Sequence, residues 1–264
     1  MNIKTFYPDG KKKALTMSYD DGQIFDRKLV DIFNKYNIKG TFHLNSGTLG
    51  KPGFITPEEV NELFMGHEIS CHTVTHPYLI HLSQDRLVHE IWEDRRNLER
   101  LAGYIVRGMS YPFGVYHKES IDAMQGLGIV YSRTVNSTRG FDLPGDLMQW
   151  HPTCHHGDDL MNRLNTFKTR HTWGNLPLMY VWGHSFEFER ENNWELIENF
   201  CSEAAGDPEV WYATNIQLAD YISAVRKLIY NTDLTQVYNP SAISVWLGTE
   251  NDIIELKAGE TANF

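Results

Sequence analysis

The feature that most constrains the fold is an alternation of short apolar runs with longer segments of helical periodicity. It extends from residue 14 to residue 230 and repeats about seven times. Strands separated by helices pair in parallel, because each helix returns the chain to the same edge of the sheet. A chain of 264 residues with this pattern forms either a barrel or an open doubly wound sheet. No glycine-rich nucleotide-binding motif is present, so we favour the barrel.

The boundaries of the elements follow from capping residues and apolar periodicity. Strands are predicted at residues 14–19, 40–45, 68–71, 104–110, 129–134, 178–183 and 209–212. Helices are predicted to begin at Asp26, at the Thr56 capping box and after Ser83, and to cover residues 118–126, 158–169, 193–205 and 216–230. Residues 135–157 contain several glycines and prolines, and we interpret them as a long functional loop.

The end of the chain departs from this pattern. Short β-type runs at 236–238, 242–247 and 253–256 are separated by Asn-Pro, Gly-Thr and Ala-Gly breaks. They are typical of a small strand-rich appendage or of the start of a larger domain. We therefore predict a barrel domain over residues 1–232 and a β-rich C-terminal extension over residues 233–264.

Composition excludes several classes of partner. The chain has 34 acidic and 24 basic residues, and a net charge of −10 disfavours binding to nucleic acid. No apolar run reaches the roughly 18 residues that span a bilayer, so no membrane partner is expected. Three cysteines cannot form a disulfide scaffold, and the first residues do not resemble a signal peptide. We expect a cytoplasmic protein, with its oligomeric state left open.

Acidic and imidazole side chains follow four of the predicted strands. In a barrel these strand ends meet at one rim, where functional groups collect. The residues concerned are Asp20 and Asp21, then His72 and His76, then the segment 110–114, and finally His184. Four segments that deliver such groups to one rim indicate a site more strongly than any single motif does.

His72 and His76 are the best candidates for metal ligands. Their spacing is one helical turn, so in a turn-like loop both rings point the same way, and Pro77 limits this to a single turn. Two imidazoles and one carboxylate, from Asp20 or Asp21, form a recognised catalytic zinc set. The other carboxylate is then free to act as a base.

Other histidines offer weaker alternatives. His151, His155 and His156 surround Cys154 in the long loop and form a rival metal site, which lacks a rigid support. His184 leaves a buried strand and is suited to proton transfer, although an isolated histidine there is more often a hydrogen-bonded core residue.

The order of these motifs resembles the polysaccharide deacetylase family, also called carbohydrate esterase family 4 or the NodB homology domain. The resemblance covers roughly residues 10–230 and is carried by Ser18-Tyr-Asp-Asp-Gly22, His72-x-x-x-His76, Tyr111-Pro-Phe-Gly114 and the strand that ends at His184. It implies a deformed (β/α) barrel that removes acetyl groups from N-acetylated, or O-acetylated, carbohydrate. It also implies one divalent metal ion, usually zinc, with cobalt, nickel and manganese as alternatives.

The resemblance also assigns roles to individual residues. Asp21, His72 and His76 become metal ligands, Asp20 the general base and His184 the general acid. Oxyanion and substrate binding fall to Tyr111, Phe113, through its backbone N–H, and Trp182. The expected partner is a carbohydrate or a small amide.

Two positions depart from the family pattern. The family often has an arginine two residues before the proline of the third motif, where this chain has Ser110, so Arg107 and Arg139 are candidate replacements. The aspartate that orients the acid histidine is also unclear, with Asp142, Asp146 and Asp158 as candidates. These departures leave open an amidohydrolase acting on a C–N bond outside polysaccharides, and a carbohydrate-binding pseudoenzyme. A glycoside hydrolase fits less well, because adjacent aspartates cannot flank a sugar ring.

Overall fold

Strands and helices alternate along the chain as predicted, and the strands form one curled parallel sheet. The computed structural model describes residues 3–172, 175–248 and 252–264. A short strand β1 (Lys4–Phe6) precedes the sheet. The sheet strands are β2 (Lys13–Asp21), β3 (Gly40–Leu44), β4 (Glu68–Cys71), β5 (Gly108–Ser110), β6 (Tyr131–Arg133), β7 (Cys154–His155), β8 (Leu178–Gly183) and β9 (Val210–Tyr212).

The spatial order of the strands curls the sheet into a barrel. It runs β6-β5-β4-β3-β2-β8-β7, with β9 paired to the start of β2. Beyond β6, the backbone of Trp150 exchanges hydrogen bonds with Ser132 and Thr134 and extends the pairing at that edge of the sheet. The predicted deformed (β/α) barrel is therefore confirmed.

Helices follow most strands and cover the outside of the sheet. They are α1 (Asp26–Lys35), α2 (Val60–Leu63), α3 (Gln84–Ala102), α4 (Lys118–Gly126), α5 (Leu160–Thr169), α6 (Ser185–Arg190), α7 (Trp194–Ala204) and α8 (Asn215–Arg226). Among the described residues, no helix combines the length and the apolar character needed to cross a membrane.

The strand register brings the predicted site segments to one rim. Asp20 at the end of β2 is level with His43, and Leu44 at the end of β3 is level with Cys71. At the end of β5, Ser110 is level with Arg133. Side chains at and just after these positions therefore converge.

The C-terminal strands pack against the barrel. They are β10 (Ile229–Tyr230), β11 (Gln236–Tyr238), β12 (Val245–Gly248), β13 (Ile253–Leu256) and β14 (Thr261–Asn263). They form two antiparallel sheets, β1-β12-β13 and β10-β11-β14. A second core cluster joins the buried residues Val237, Val245, Leu247 and Leu256 of these strands to Tyr7, Leu178, Tyr180 and Leu218.

Some predicted boundaries were wrong. The strand predicted over 104–110 is confined to 108–110, because Tyr104 turns outward and its hydroxyl accepts a hydrogen bond from the N–H of Ile69. The last helix ends at Arg226 rather than at residue 230, and Ile229–Tyr230 pairs with β11. The loop predicted at 135–157 contains β7, and α6 was not predicted.

Candidate metal centre

Asp20 and Asp21 end β2 and both face His72. Asp21 has a φ of 81°, a left-handed conformation that turns the chain out of the strand just before Gly22. Without that turn, consecutive strand residues would point to opposite faces. As a result, Asp20 Oδ2 lies 3.8 Å and Asp21 Oδ1 3.7 Å from His72 Nε2.

The hydrogen bonds of His72 fix which ring nitrogen is free. Its Nδ1 lies 2.9 Å from the carbonyl oxygen of Ser110 and 2.7 Å from the Ser110 hydroxyl. The carbonyl oxygen can only accept and the hydroxyl donates to Asp20 Oδ1, so we assign the ring proton to Nδ1. Nε2 therefore presents a lone pair toward the two aspartates. This backbone contact is the arrangement that orients metal-binding histidines in proteins. Burial lowers the pKa of His72, which favours the neutral ring that a metal requires.

His76 lies beside His72 and Asp21, but the backbone that places it there is not the predicted helical turn. Residues 72–76 form a bend rather than a helical turn, with left-handed φ values of 69° at Thr73 and 57° at His76. The rings of His72 and His76 lie 4.7 Å apart between centroids, and His76 Nε2 lies 3.8 Å from Asp21 Oδ1.

The ligand-type atoms of Asp21, His72 and His76 all lie within 4.8 Å of one another. Separations of 3.7 and 3.8 Å are too long for hydrogen bonds. They are close to the roughly 3.3–3.5 Å that separates neighbouring ligands around a tetrahedral zinc ion with bonds of about 2.0–2.1 Å. The three side chains therefore fit a shared divalent ion.

Buried polar side chains support the loop that carries the two histidines. Asp94, on α3, accepts hydrogen bonds from the N–H groups of His72 (2.9 Å) and Ser46 (2.8 Å). One turn earlier, Glu90 accepts from the N–H (2.9 Å) and hydroxyl (2.6 Å) of Thr75. The sequence analysis missed both residues. Carboxylates four residues apart on the buried face of α3 were the available signal.

Asp20 is paired with a buried arginine that the sequence analysis did not identify. Arg133, at the end of β6, forms an ion pair with Asp20 Oδ2, and the Ser110 hydroxyl lies 3.2 Å from Oδ1. Burial alone would raise the pKa of Asp20, but the charge of Arg133, then of His72, outweighs it and holds the pKa well below its usual range.

The predicted replacements for the missing arginine were wrong. Arg107 forms a two-fold ion pair with Asp220 instead. The exposed Arg139 lies in the long loop, where its N–H donates to the carbonyl of Thr153. The neighbouring strand β6 delivers the guanidinium instead, and its carbon lies 4.5 Å from the centre of the Trp182 ring.

His184 is held by Glu187 rather than by any predicted aspartate. Glu187 Oε2 accepts from the N–H of His184 at 3.1 Å and lies 3.3 Å from its Nδ1. Asp146 instead caps the short turn at residues 147–149, and Asp142 and Asp158 contact Arg170 and Ser137. The spacing His184-x-x-Glu187, a helix-capping box at the start of α6, was the missed signal.

His155 and His156 also meet Glu187, so part of the predicted rival cluster is real. His155 Nε2 lies 2.9 Å and His156 Nε2 3.3 Å from Glu187 Oε2, and these atoms fall within the range of a common ion. However, the N–H of Gly157 donates to His155 Nδ1 at 3.1 Å, so the ring proton is on Nε2 and points at Glu187. Hydrogen bonding, not metal ligation, explains this geometry.

The other members of the rival cluster lie apart from Glu187. Cys154 is buried in the main core, and His151 Nδ1 contacts the hydroxyl of Thr134 at 2.6 Å.

Glu187 and His184 have opposite pKa shifts. Burial opposes the charge of Glu187, but hydrogen bonds from His155 and His184 outweigh burial and hold its pKa well below the usual range. Burial also lowers the pKa of His184, but Glu187, then Asp20 and Asp21, outweigh it and raise the pKa. The pair therefore favours the protonated form of His184.

The segment 110–114 presents a backbone N–H in an unusual conformation. Phe113 has φ 58° and ψ 7°, which costs about 1–2 kcal/mol for a residue with a Cβ. Gly114 and Val115 donate the backbone hydrogen bonds of this turn, and the Phe113 N–H takes part in neither. Its ring is 45% exposed and stacks on Tyr78, with centroids 3.9 Å apart. Such aromatic pairs contribute about 0.5–1.5 kcal/mol.

Two predicted substrate-binding side chains differ in their surroundings. Tyr111 is 1% exposed, and its hydroxyl donates to the carbonyl of Met148, so its side chain offers no surface to a substrate. The prediction for the Tyr111 side chain was therefore wrong. Trp182 is partly exposed and lies between Arg133 and His184, 5.7 Å from the latter's ring.

Comparisons with known proteins agree with the motif pattern. The sequence profile of the family described as "Polysaccharide deacetylase" matches residues 7–132. A peptidoglycan-N-acetylglucosamine deacetylase from Bacillus cereus is 27% identical over 159 residues, which are 54% of this chain and 57% of that protein. Chitin deacetylase 1 from Cryptococcus neoformans is 31% identical over 105 residues, 39% of this chain and 22% of that protein.

A solved structure shares the fold. A crystal structure from Mycobacterium smegmatis that carries the name of a polysaccharide deacetylase has a TM-score of 0.63 at 19% identity. The similarity covers 84% of this chain and 94% of that one. The profile match includes Asp20, Asp21, His72, His76 and the 110–114 turn. Over residues 7–132, slightly less than half of its length, the chain is similar to the polysaccharide deacetylase family.

Proposed function

We propose that the protein is a divalent-metal-dependent hydrolase that removes acetyl groups from N-acetylated carbohydrate. The observation that carries the proposal is the orientation of His72. Its protonated Nδ1 binds Ser110, and its free Nε2 faces Asp21 in company with His76. That arrangement suits an ion, whereas the same three side chains make no hydrogen bonds with one another at these distances.

The metal would be held by Asp21, His72 and His76. A divalent ion at this position supplies Lewis acidity toward the amide carbonyl and toward the attacking water. Zinc fits best, since two imidazoles and one carboxylate are a common catalytic zinc set, with cobalt, nickel and manganese as alternatives.

Asp20 acts as the general base. Its carboxylate lies beside the ligand set, 3.8 Å from His72 Nε2, and the ion pair with Arg133 keeps it ionised and oriented. A carboxylate in this state can accept the proton of the attacking water at neutral pH. Arg133 supplies the guanidinium that the family pattern places at position 110, where this chain has serine. The absence of an arginine at position 110 therefore no longer favours a pseudoenzyme.

His184 acts as the general acid. An amine is a poor leaving group until its nitrogen is protonated, and the neighbouring carboxylates raise the pKa of His184, which favours its protonated form. Glu187 orients the ring from the Nδ1 side, which leaves Nε2 to donate to the departing nitrogen.

The N–H of Phe113 stabilises the oxyanion. It lies in a turn whose ring contacts the metal ligand His76, with centroids 4.4 Å apart, and it is not used in the turn's own hydrogen bonds. A preorganised donor of this kind contributes roughly 3–4 kcal/mol to the transition state.

The substrate class follows from the relatives. The two curated relatives are named for deacetylation of N-acetylglucosamine in peptidoglycan and of chitin. The chain matches only 57% and 22% of the lengths of these relatives, so we infer from them only the chemistry of the site. We infer that the substrate contains an N-acetylated hexosamine. The partly exposed Trp182 ring beside the acid suits the apolar face of a sugar.

Metal analysis and acetate release test the proposal together. The purified protein should bind about one equivalent of zinc, and chelation should abolish acetate release from N-acetylglucosamine oligomers. Asp20→Asn should keep the metal and lose turnover, whereas His72→Ala should lose both. His171→Ala, at an exposed histidine, is the matched control and should behave as wild type.

The outcomes separate the alternatives. Full activity in His72→Ala would refute the metal site. A stoichiometric metal without acetate release from any N-acetylated sugar would favour an amidohydrolase for another C–N bond.

A further inference from the structure

Phe113 holds a left-handed conformation that its own side chain disfavours. The turn needs that conformation, because its two backbone hydrogen bonds are donated by the next two residues, Gly114 and Val115. Gly114 packs closely against Val135, because a Cβ on Gly114 would lie 2.3 Å from that side chain. The left-handed conformation of Phe113 is costly unless other contacts stabilise it.

Tyr78 provides one such contact. Its ring is nearly parallel to that of Phe113, with an interplanar angle of 9° and centroids 3.9 Å apart. Both rings are almost half exposed, at 44% and 45%, so burial in the core does not explain why they are held together. The stabilisation that stacking supplies is similar in size to the cost of a left-handed residue.

The stack also links two parts of the site. Tyr78 follows Pro77 at the end of the loop that carries His76, and the edge of the His76 ring packs against Phe113. The three rings form a column that joins the metal-binding loop to the 110–114 turn. Any displacement of Tyr78 would therefore change where the Phe113 N–H points relative to the metal ligands.

We propose that Tyr78 is a positioning residue that acts through Phe113, holding it in the left-handed conformation that aims its N–H at the oxyanion. This inference rests on the proposed function, in which that N–H is the donor. Among the described residues, the aromatic contacts of the Tyr78 ring are with Phe113 and His81 and not with the metal ligands. Its effect should therefore fall on kcat rather than on substrate affinity.

The test is a double-mutant cycle between Tyr78 and Phe113. Tyr78→Ala should lower kcat for N-acetylglucosamine oligomers about three- to tenfold, the range that loss of one aromatic pair allows, with KM little changed. Tyr78→Phe keeps the ring and should stay within about twofold of wild type. Phe113→Gly removes the contact between the two rings. It also removes the conformational cost at position 113, because glycine adopts positive φ readily.

The decisive comparison is made in the Phe113→Gly background. There Tyr78→Ala should have no further effect on kcat, since its only route of action is gone. Tyr238→Ala removes a similarly exposed tyrosine from β11 and serves as the control. All variants should retain the wild-type metal content and a cooperative thermal transition, which shows that they are folded.

Three results would overturn the inference. An unchanged kcat in Tyr78→Ala would show that the stack does not position the turn. A rise in KM alone would show that the ring binds substrate. An equal loss in both backgrounds would show that Tyr78 acts independently of Phe113. Failure of the proposed function is distinct, because it would appear as retained activity in His72→Ala.

Discussion

At the scale of single residues, the site depends on charges that compensate one another in a buried place. Asp20 and Arg133 are both almost fully buried, so each would be an expensive isolated charge without the other. The same holds for Glu187, which is surrounded by three histidines that donate to it or approach it closely. Arg133 and Glu187 are thus the charged neighbours that shift the pKa values of Asp20 and His184 most, with further contributions from His72, Asp20 and Asp21.

Removing the charge of Arg133 should impair the base. In Arg133→Met, burial of Asp20 is no longer opposed by the guanidinium, so the pKa of Asp20 rises. The acidic limb of the pH profile of kcat/KM should then move to higher pH, and activity at pH 7 should fall about 100-fold. Arg139→Met, at the exposed arginine, should leave the profile unchanged. An unshifted acidic limb in Arg133→Met would contradict the role of the pair.

Removing the charge of Glu187 should act on the opposite limb. Glu187 raises the pKa of His184, so in Glu187→Gln that pKa falls and His184 loses its proton at lower pH. The basic limb of the kcat profile should move to lower pH, with a loss of about tenfold or more at pH 8 and a smaller loss at pH 6. Glu191→Gln, one turn further along the chain, is the control. A uniform loss at all pH values would indicate misfolding instead.

Sequence motifs identify the residues whose role follows from their place in the motif. They do not identify residues whose role depends on a neighbour that only the tertiary structure brings close. Asp20, Asp21, His72 and His76 stand in a characteristic order at strand ends, and the structure brings them together. Arg133 had no local signal, because only the pairing of β5 with β6 brings it near Asp20. Glu187 had a local signal in its spacing from His184, which a search limited to aspartates overlooked.

At the scale of elements, helix α3 does more than cover the barrel. Its buried face carries Glu90 and Asp94 among apolar residues, and both bind the backbone of neighbouring loops. α3, β4, α4 and β8 have the boundaries predicted for them, because caps and apolar patterns define them locally. The end of α8 was misjudged because its apolar periodicity continues into β10, where pairing with β11 overrides helix propensity.

Asp94 should therefore affect both metal affinity and stability. Asp94→Ala leaves the N–H of Ser46 without its acceptor and the N–H of His72 with only the carbonyl oxygen of Leu44, 3.1 Å away, and an N–H that loses its acceptor costs about 1–3 kcal/mol. We expect a loss of about 2–4 kcal/mol in unfolding free energy and a roughly ten- to 100-fold weaker metal affinity. Chemical denaturation and competition with a chromogenic chelator measure the two effects. Glu93→Ala, which breaks only the surface pair with Arg96, should change neither appreciably.

At the scale of the whole molecule, we propose that residues 233–264 are an extension in sequence but not an independent unit of stability. Strand β12 pairs with β1 near the start of the chain, and four buried residues of the extension complete the second core. Each such side chain stabilises the fold by about 1.5–3 kcal/mol, so together they contribute about 6–12 kcal/mol. That sum is comparable with the whole stability of a typical domain.

Deletion of residues 233–264 should therefore prevent cooperative folding. The truncated chain should lack a sharp thermal transition by circular dichroism and accumulate in the insoluble fraction. A soluble truncated protein with a melting temperature within a few degrees of the full chain would show that the barrel over residues 1–232 is stable on its own.

Glu68 should make the stability of the whole molecule depend on pH. This buried carboxyl group at the start of β4 accepts hydrogen bonds from Tyr131 (2.7 Å), Thr41 (2.8 Å) and the N–H of Ile216 in α8 (2.8 Å). Burial raises its pKa to about 7, so the folded protein holds a proton that the unfolded chain releases at lower pH. The stabilisation is complete below the unfolded pKa and is lost as the pH rises toward 7.

Glu68→Gln should remove this pH dependence. Between pH 4.5 and pH 8, the decline in unfolding free energy should be smaller than in wild type by about 3 kcal/mol, the equivalent of the pKa shift. Urea denaturation in the presence of a chelator measures the decline without the contribution of metal binding. Glu58→Gln, at an exposed glutamate, should reproduce the wild-type decline. An identical decline in Glu68→Gln would mean that Glu68 is already ionised in the folded protein, because its three hydrogen bonds outweigh its burial.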